Sequence, residues 1–170
     1  GTAYTVVGMG TCEDSDLVIP AYYNGLPVTA IGEQAFEGCD NLTSVVIGEN
    51  VTIIGDHAFS WCYGIASVEM GDNITTIGML AFHYCESLTS VKIGDSVESI
   101  GYAAFALTGL TSVTIPAGVE VITVGAFAGC GSLTSIEVSE DNTAYKSIDG
   151  NLYTKDGKTL IQYAAGKSDT

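Results

Sequence analysis

Apolar residues recur along the chain at a fixed interval, and this interval is the main signal in the sequence. From Ile31 onward, the segment IGEQAFEGC is followed by LTSVVIG, and similar segments return every 23 residues, with one residue deleted in the fourth repeat. The phenylalanines that mark the interval are Phe36, Phe59, Phe82, Phe105 and Phe127. Such a period indicates a solenoid of about five coils, each of which stacks on its neighbours.

Each repeat contains three predicted pieces of local structure. The first repeat contains the spacing L-x-x-V-x-I, formed by Leu42, Val45 and Ile47. The last part of this spacing alternates between inward and outward positions, which predicts a half-buried strand. Residues 51–54 predict a second, shorter extended piece after the turn at Gly48. The spacing of residues 35–39 would bring the Ala, Phe and Cys side chains to one side of a single helical turn. We therefore expect a leucine-rich-repeat solenoid with parallel strands and short helical turns.

The two ends of the chain differ from the repeats. Residues 1–30 predict an N-terminal cap that contains a capping strand at Tyr4 to Val7 and a degenerate coil at Val18 to Pro20. An open terminal coil would expose its apolar columns to water, which is why repeat arrays carry atypical ends. The repeats themselves occupy residues 31–138.

Residues 139–170 predict a C-terminal β-hairpin that serves as a cap or as a spacer. Leu152 and Tyr153 precede Asp156-Gly157, and Leu160 and Ile161 follow it. Asp-Gly is a favoured two-residue hairpin turn, so the sequence predicts a hairpin here.

Composition and charge limit the possible partners. The chain has 46% hydrophobic residues, 20 acidic residues and five lysines, for a net charge of −15. Binding of nucleic acid or of an anionic membrane requires clustered Lys or Arg, so neither partner is expected. No apolar run approaches the roughly 18 residues of a membrane span, and we expect no membrane insertion. The chain begins with Gly and ends in a polar stretch, which suggests a piece of a longer protein.

Four cysteines occupy one column, meaning equivalent positions in successive coils, and a fifth precedes the repeats. Stacked thiols that point the same way into a core act as small hydrophobic groups, so we expect the four to be reduced and buried and leave Cys12 open. The paired C-x-x-C spacing of zinc sites is absent, and no Cys or His metal site is predicted. The four are Cys39, Cys62, Cys85 and Cys130.

Signals for catalysis are weak. Asp56, His57 and Ser60 include the residue types of a triad, but they lie on one short turn with no evident oxyanion donor or pocket. We predict no enzymatic activity and no cofactor. One column of carboxylates follows the strand glycine, where calcium binding and simple solvation both remain open. It consists of Glu49, Asp72 and Asp95.

The quoted segments, together with VIPAYYNGLPVTAIG and SIDGNLYTKDGKTLIQYAAGK, resemble the BspA-like leucine-rich repeats of bacterial surface proteins. The resemblance covers nearly the whole chain and is specific to the repeat class, but not to a ligand. It implies a secreted or cell-surface protein, often adhesive toward host or bacterial proteins, with no cofactor or catalytic residue to transfer. Within the family, such a hairpin often leads into further repeats.

Two function classes follow from these observations. The leading hypothesis is a monomeric, non-catalytic interaction module that binds a host or bacterial surface protein through the solenoid face. The alternative is a structural spacer that holds another domain away from the cell wall.

Two surfaces are candidates for partner binding. The first is an outward strand column with a different chemistry in almost every coil: Val46, Glu69, Lys92, Thr114 and Glu137. The second, the aromatic edge, groups large side chains beside the Cys turn: Trp61, Tyr63, His83 and Tyr84. Exposed aromatic residues often mark interaction sites, although these residues could also simply cover the core.

Overall fold

A computed structural model describes residues 2–8 and 14–167 of the chain. It is a solenoid of about six turns, which confirms the predicted fold class. The degenerate coil predicted before the repeats accounts for the sixth turn, since its strand pairs in register with the first repeat strand from Asp16↔Ser44 to Ile19↔Ile47.

The described residues form fifteen strands. They are β1 (Tyr4–Val6), β2 (Asp16–Ile19), β3 (Tyr22–Tyr23), β4 (Leu26–Ile31), β5 (Ser44–Ile47), β6 (Ile53–Ile54), β7 (Ser67–Glu69), β8 (Thr76–Ile77), β9 (Ser99–Ile100), β10 (Ser112–Ile115), β11 (Val121–Ile122), β12 (Ser135–Val138), β13 (Tyr145–Ile148), β14 (Asn151–Thr154) and β15 (Leu160–Gln162).

The solenoid has two surfaces that are built from parallel strands. One surface, the short-strand side, is a continuous sheet in the order β1-β4-β6-β8-β9-β11, in which all strands except β1 and β4 have only two residues. The other surface is the strand face, which consists of two separate sheets, β2-β5-β7 and β10-β12, with strands of three or four residues. The strand expected in the third coil near Lys92 is missing, so this part of the sequence prediction is wrong. Lysine is depleted in strands, which weakens the local preference for pairing.

The predicted helical turns are also wrong, because the described residues contain no helix. The backbone between Gly32 and Cys39 is a chain of tight turns in which Gln34 has a φ of 57° and Gly38 a φ of 70°. A residue in the left-handed region cannot continue a right-handed helix. The N–H groups of Gln34, Phe36 and Gly38 instead donate to carbonyls of the next coil.

The core lies between the two strand surfaces and the turns. Five phenylalanine rings stack along it with centroids 5.1 to 5.6 Å apart and interplanar angles of 5 to 8°. The Leu and Cys columns lie beside the rings, and Leu42, Leu88, Leu110 and Leu133 are completely buried. Each coil therefore stacks its apolar side chains on those of its neighbours.

The strands predicted at the N-terminal end are present. β1 pairs with β4, while Val7 lies outside the strand and is exposed. β3 and β4 form an additional hairpin with positive φ values at Asn24 and Gly25, an arrangement that suits a two-residue turn.

At the other end, β13, β14 and β15 form an antiparallel sheet, the C-terminal sheet. The Tyr145 hydroxyl accepts a hydrogen bond from the Ile122 N–H at 2.8 Å, and Ser147 donates to the Ile136 carbonyl at 2.7 Å. These bonds attach the sheet to the last coil. The predicted hairpin is present, but the expected two-residue turn is not: residues 155–159 connect its strands, and Gly157 has a φ of 74°.

The cysteine column is mostly as expected. Cys62, Cys85 and Cys130 are free and buried. Cys39 is disulfide-bonded, and its partner lies outside the described residues, so the prediction of four reduced cysteines is wrong at this position. Cys12 also lies outside the described residues.

Candidate interaction surfaces

The strand-face column is exposed at all five predicted positions. Val46 pairs with Glu69, and Thr114 pairs with Glu137, which places these side chains side by side on adjacent strands. Lys92 lies between the two sheets, in the segment that forms no strand. The five side chains therefore share one surface, but the backbone beneath them is not continuous.

Val18 belongs to the same surface although it was not among the predicted site residues. It pairs with Val46, and its side chain is 66% exposed. The signal was present in the sequence, because the register of the degenerate coil places Val18 in this column. The surface therefore begins with two apolar residues, and its later members are charged except for Thr114.

Charge on the strand face is largely negative and poorly neutralised. The Lys92 ammonium lies 3.9 Å from an Asp72 carboxylate oxygen, and both side chains are highly exposed. Glu137 accepts a hydrogen bond from the Ser135 hydroxyl. Exposed ion pairs contribute little to stability, so this arrangement does not hold the fold together.

The aromatic edge also forms a single cluster. The rings of Trp61 and Tyr84 stack at 4.1 Å with an interplanar angle of 14°. Tyr63 and His83 contact Trp61 edge-on at 6.0 and 5.6 Å. Trp61 and Tyr63 remain 39% and 38% exposed. The four predicted residues are thus in mutual contact, and part of the cluster is open to solvent.

The local backbone explains how Trp61 and Tyr84 reach this position. Both occupy the same column as Gly38 and Gly129, and every member of the column has a positive φ, with 64° at Trp61 and 61° at Tyr84. Glycine adopts this conformation without strain, whereas a bulky residue is destabilised there. The aromatic residues therefore occupy positions where the backbone alone favours glycine.

Two titratable groups of the aromatic edge are shifted by their surroundings. Burial lowers the pKa of His83, and a charge on His57 would lower it further, so His83 is neutral at pH 7. Partial loss of hydration, and then the negative charges of Asp40 and Glu86, raise the pKa of Tyr63. His83 and Tyr63 are therefore uncharged at neutral pH, and the Asp40 and Glu86 carboxylates lie near the cluster.

The candidate catalytic and metal-binding groups noted in the sequence do not form sites. Asp56 accepts a hydrogen bond from the Met79 N–H at 2.7 Å, and Ser60 is completely buried. Among residues 2–8 and 14–167, no group of three or more His, Cys, Asp or Glu side chains could hold a metal ion, and this includes the carboxylate column. No helix within the same ranges has the length and apolarity needed to cross a bilayer.

A solenoid of parallel strands with internal Leu and Phe columns and an exposed, variable strand face is a leucine-rich repeat protein. Residues 29–155 match the BspA type leucine rich repeat region in 6 copies. The chain belongs to this family, and the resemblance drawn from the sequence is confirmed. No curated protein shows a significant match to the chain.

Several solved structures are similar. A leucine-rich repeat protein of T. pallidum shares 32% identity over 79% of this chain, with a TM-score of 0.77. One from Bacteroides ovatus shares 35% identity over 73% of the chain, with a TM-score of 0.66. A leucine rich cell surface protein of Faecalibacterium prausnitzii shares 26% identity over 89% of the chain, with a TM-score of 0.59.

The matched regions are parts of longer proteins. They span 63% of the T. pallidum chain, 33% of the B. ovatus chain and 55% of the F. prausnitzii chain. Family membership, together with these neighbours, indicates a surface-associated or protein-interaction module.

Proposed function

We propose that the chain is a non-catalytic, secreted or cell-surface adhesive module that binds a host or bacterial surface protein through its strand face. The observation that carries this proposal is the contrast between two kinds of column. The core columns repeat the same residue types, whereas the exposed column from Val46 to Glu137 changes from coil to coil. The fold requires the regular core columns. It does not require the variation in the exposed column, which serves instead for recognition of a ligand.

The aromatic edge is the second candidate surface. Trp61 and Tyr84 occupy left-handed positions that glycine fills in two other coils, and they are partly exposed. Backbone strain concentrates at functional sites, and Trp and Tyr supply much contact area for little loss of entropy. These observations favour a contact with a protein partner at this edge as well.

The test is a pull-down of extracellular host and bacterial proteins on the immobilised, folded chain as a monomer. The recovered partner is then assayed against two double variants, Glu69→Ala with Lys92→Ala and Trp61→Ala with Tyr84→Ala. We expect the strand-face pair to weaken binding more than the aromatic pair. Glu98→Ala with Glu120→Ala is a control for a general loss of surface charge, because both residues are exposed beside the short strands.

Circular dichroism and thermal unfolding must first show that each variant is folded. Equal binding by all variants would contradict the assignment of both surfaces. Recovery of no partner from any source would favour the structural-spacer alternative.

A further inference from the structure

The strand face is interrupted at its middle. β5 pairs with β7 and β10 pairs with β12, but within the described ranges no strand pairs with the other side of β7 or of β10. Both strands therefore present an edge toward residues 90–93. Free strand edges carry unpaired N–H and C=O groups, which bind extended peptides in many complexes.

At the strand face, the backbone of the third coil lies farther from the second coil than the backbones of the preceding coils lie from each other. A Cβ atom added at Gly48 would lie 2.5 Å from the Ala21 nitrogen, and one at Gly71 would lie 2.9 Å from the Gly48 oxygen. A Cβ atom at Gly94, the equivalent position of the third coil, would meet nothing closer than 3.9 Å. The close glycine stacking of the preceding coils is thus lost here.

Core burial changes at the same point. Val91 is partly exposed, whereas the equivalent residues Val45, Val68, Val113 and Ile136 are all buried. Among the five repeats, an apolar side chain of the core column is therefore accessible from the strand face only in the third coil.

A groove lies beside this segment, toward the fourth coil. It has a volume of about 780 Å³, and its lining includes Val91, Ile93, Thr114 and Pro116. This volume lies within the usual range of about 300–1,000 Å³ for ligand sites. The floor is apolar, and one wall is the free edge of β10.

The rim of the groove is acidic. Asp95 and Asp141 line it and are exposed, and neither takes part in an ion pair within the described ranges. Lys92 also lines the groove, but its ammonium lies near Asp72 on the far side of the segment. The carboxylates are available to a cation, and the net charge of −15 would attract one over a distance.

From these observations we infer that the groove binds an extended, basic segment of a partner protein. Backbone groups of that segment hydrogen-bond to the free edge of β10, its apolar side chains contact Val91 and Pro116, and its Lys or Arg side chains pair with Asp95 and Asp141. A second copy of this chain would bring a further charge of −15, so it does not fit. The inference rests on the proposed function and assigns a place and a chemistry to the partner.

A short synthetic peptide of alternating Lys and Val provides the probe, and an alternating Glu–Val peptide is its control. Titration of the labelled full chain, followed by NMR, gives both the affinity and the perturbed backbone amides. We expect the largest perturbations in residues 91–95 and 112–115. The Glu–Val peptide should cause none.

A charge-matched pair of variants separates this site from general attraction to an acidic surface. Asp95→Asn with Asp141→Asn should weaken Lys–Val binding about tenfold, the effect of losing two exposed ion pairs. Glu98→Gln with Glu120→Gln makes the same charge change away from the groove and should alter binding by less than about twofold.

Three results would overturn the inference: no binding of the Lys–Val peptide, equal losses in both double variants, or perturbations centred on the aromatic edge. None of them depends on the partner pull-down. If the recovered partner still bound through Glu69 and Lys92, the proposed function would stand while the groove assignment failed.

Discussion

At the scale of single residues, the phenylalanine column accounts for much of the core. Each inner ring contacts a ring above and a ring below, and Phe59, Phe82 and Phe105 are completely buried. Neighbouring coils hold their backbones at a fixed spacing, so they cannot close around a deleted ring. A cavity at the middle of the column would therefore persist.

The substitution Phe82→Ala should lower the free energy of unfolding by about 3–5 kcal/mol, since it removes a fully buried aromatic side chain from a site that cannot collapse. Urea unfolding followed by circular dichroism measures the change. Val124→Ala serves as the control, because Val124 is 77% exposed and its replacement should change stability by less than about 0.5 kcal/mol. Similar effects of the two substitutions would contradict the buried column.

The free cysteines should be chemically inert in the folded protein. Burial raises the pKa of Cys62 to about 12 and also raises the pKa values of Cys85 and Cys130. Only the thiolate reacts, so near pH 8 these groups should resist alkylation until the chain is denatured. Cys39 should require reduction as well as denaturation. Mass spectrometry after each treatment gives the result, and rapid labelling of Cys62 or Cys85 in the native state would show that the column opens.

The column of positive-φ residues that contains Trp61 leads to a prediction about stability. An Ala variant is usually more stable than a Gly variant, and here the order should be reversed. Trp61→Gly should be more stable than Trp61→Ala by about 1 kcal/mol, because both variants lose the ring but only Gly is unstrained at a φ of 64°. Tyr63 is the control, since it lies in the same cluster without a positive φ. There the Ala variant should be the more stable one. Thermal unfolding of the four variants tests both orders.

At the scale of elements, the strands were predictable and the turns were not. The alternation of Val45 and Ile47 identified the strand, and the equivalent register at Ile19 identified the degenerate coil. The spacing of Ala35, Phe36 and Cys39 fits a helix equally well in sequence. Hydrogen bonds to the next coil, such as Phe36 N–H to the Ala58 carbonyl at 2.8 Å, replace those that a helix would form, and no local pattern reveals them.

The candidate surfaces were predictable to a similar extent. Column membership placed Glu69 and Thr114 on one exposed face, and it placed Trp61 beside Tyr84. The gap at Lys92 could not be foreseen, because the third repeat keeps the apolar residues Val91 and Ile93 in their expected places. Whether they pair depends on the spacing between coils, and that spacing is a property of the stacked molecule.

The C-terminal sheet depends on one buried side chain. The Asn142 amide donates to the carbonyls of Pro116 and Val119 at 2.8 and 2.9 Å, and its oxygen accepts from the N–H groups of Ala144 and Tyr145. All hydrogen-bonding groups of the amide are therefore used. They join the fourth coil to the start of β13.

Asn142→Ala should lower the free energy of unfolding by about 3 kcal/mol, since it leaves several buried backbone groups without partners. Hydrogen exchange should become faster in β13 and β14 and remain unchanged in β5. Asn50→Ala is the matched control: Asn50 donates only one bond, to the Ala21 carbonyl at 3.0 Å, and about 1 kcal/mol is expected. Uniformly faster exchange along the whole chain would contradict a local role for Asn142.

At the scale of the whole molecule, the dominant property is the charge of −15 on a narrow stack of coils. Similar charges lie one coil apart, as for Glu98 and Glu120, whose backbones are hydrogen-bonded at 2.9 Å. Like charges on adjacent strands are destabilising. Repulsion of this kind is distributed along the stack and is screened by salt.

The melting temperature should therefore rise by a few degrees when NaCl shortens the Debye length from about 30 Å to about 8 Å. Glu120→Lys converts one repulsive pair with Glu98 into an attractive one, so this variant should melt higher at low salt and respond less to added salt. Differential scanning calorimetry at both ionic strengths provides the test. A melting temperature that falls with salt would mean that attractive pairs dominate the surface.

Glycine stacking along the short-strand side has a consequence for how such a protein changes over generations. A Cβ at Gly78 would lie 2.6 Å from the Gly55 carbonyl carbon, and one at Gly101 would lie 2.6 Å from that of Gly78, so these positions are directly superposed. Recombination between two of them adds or removes one whole coil and preserves the alignment of every column. The array thus changes length in steps of about 4.8 Å. Each step shifts all later exposed side chains by one place along the face and leaves the core unaltered.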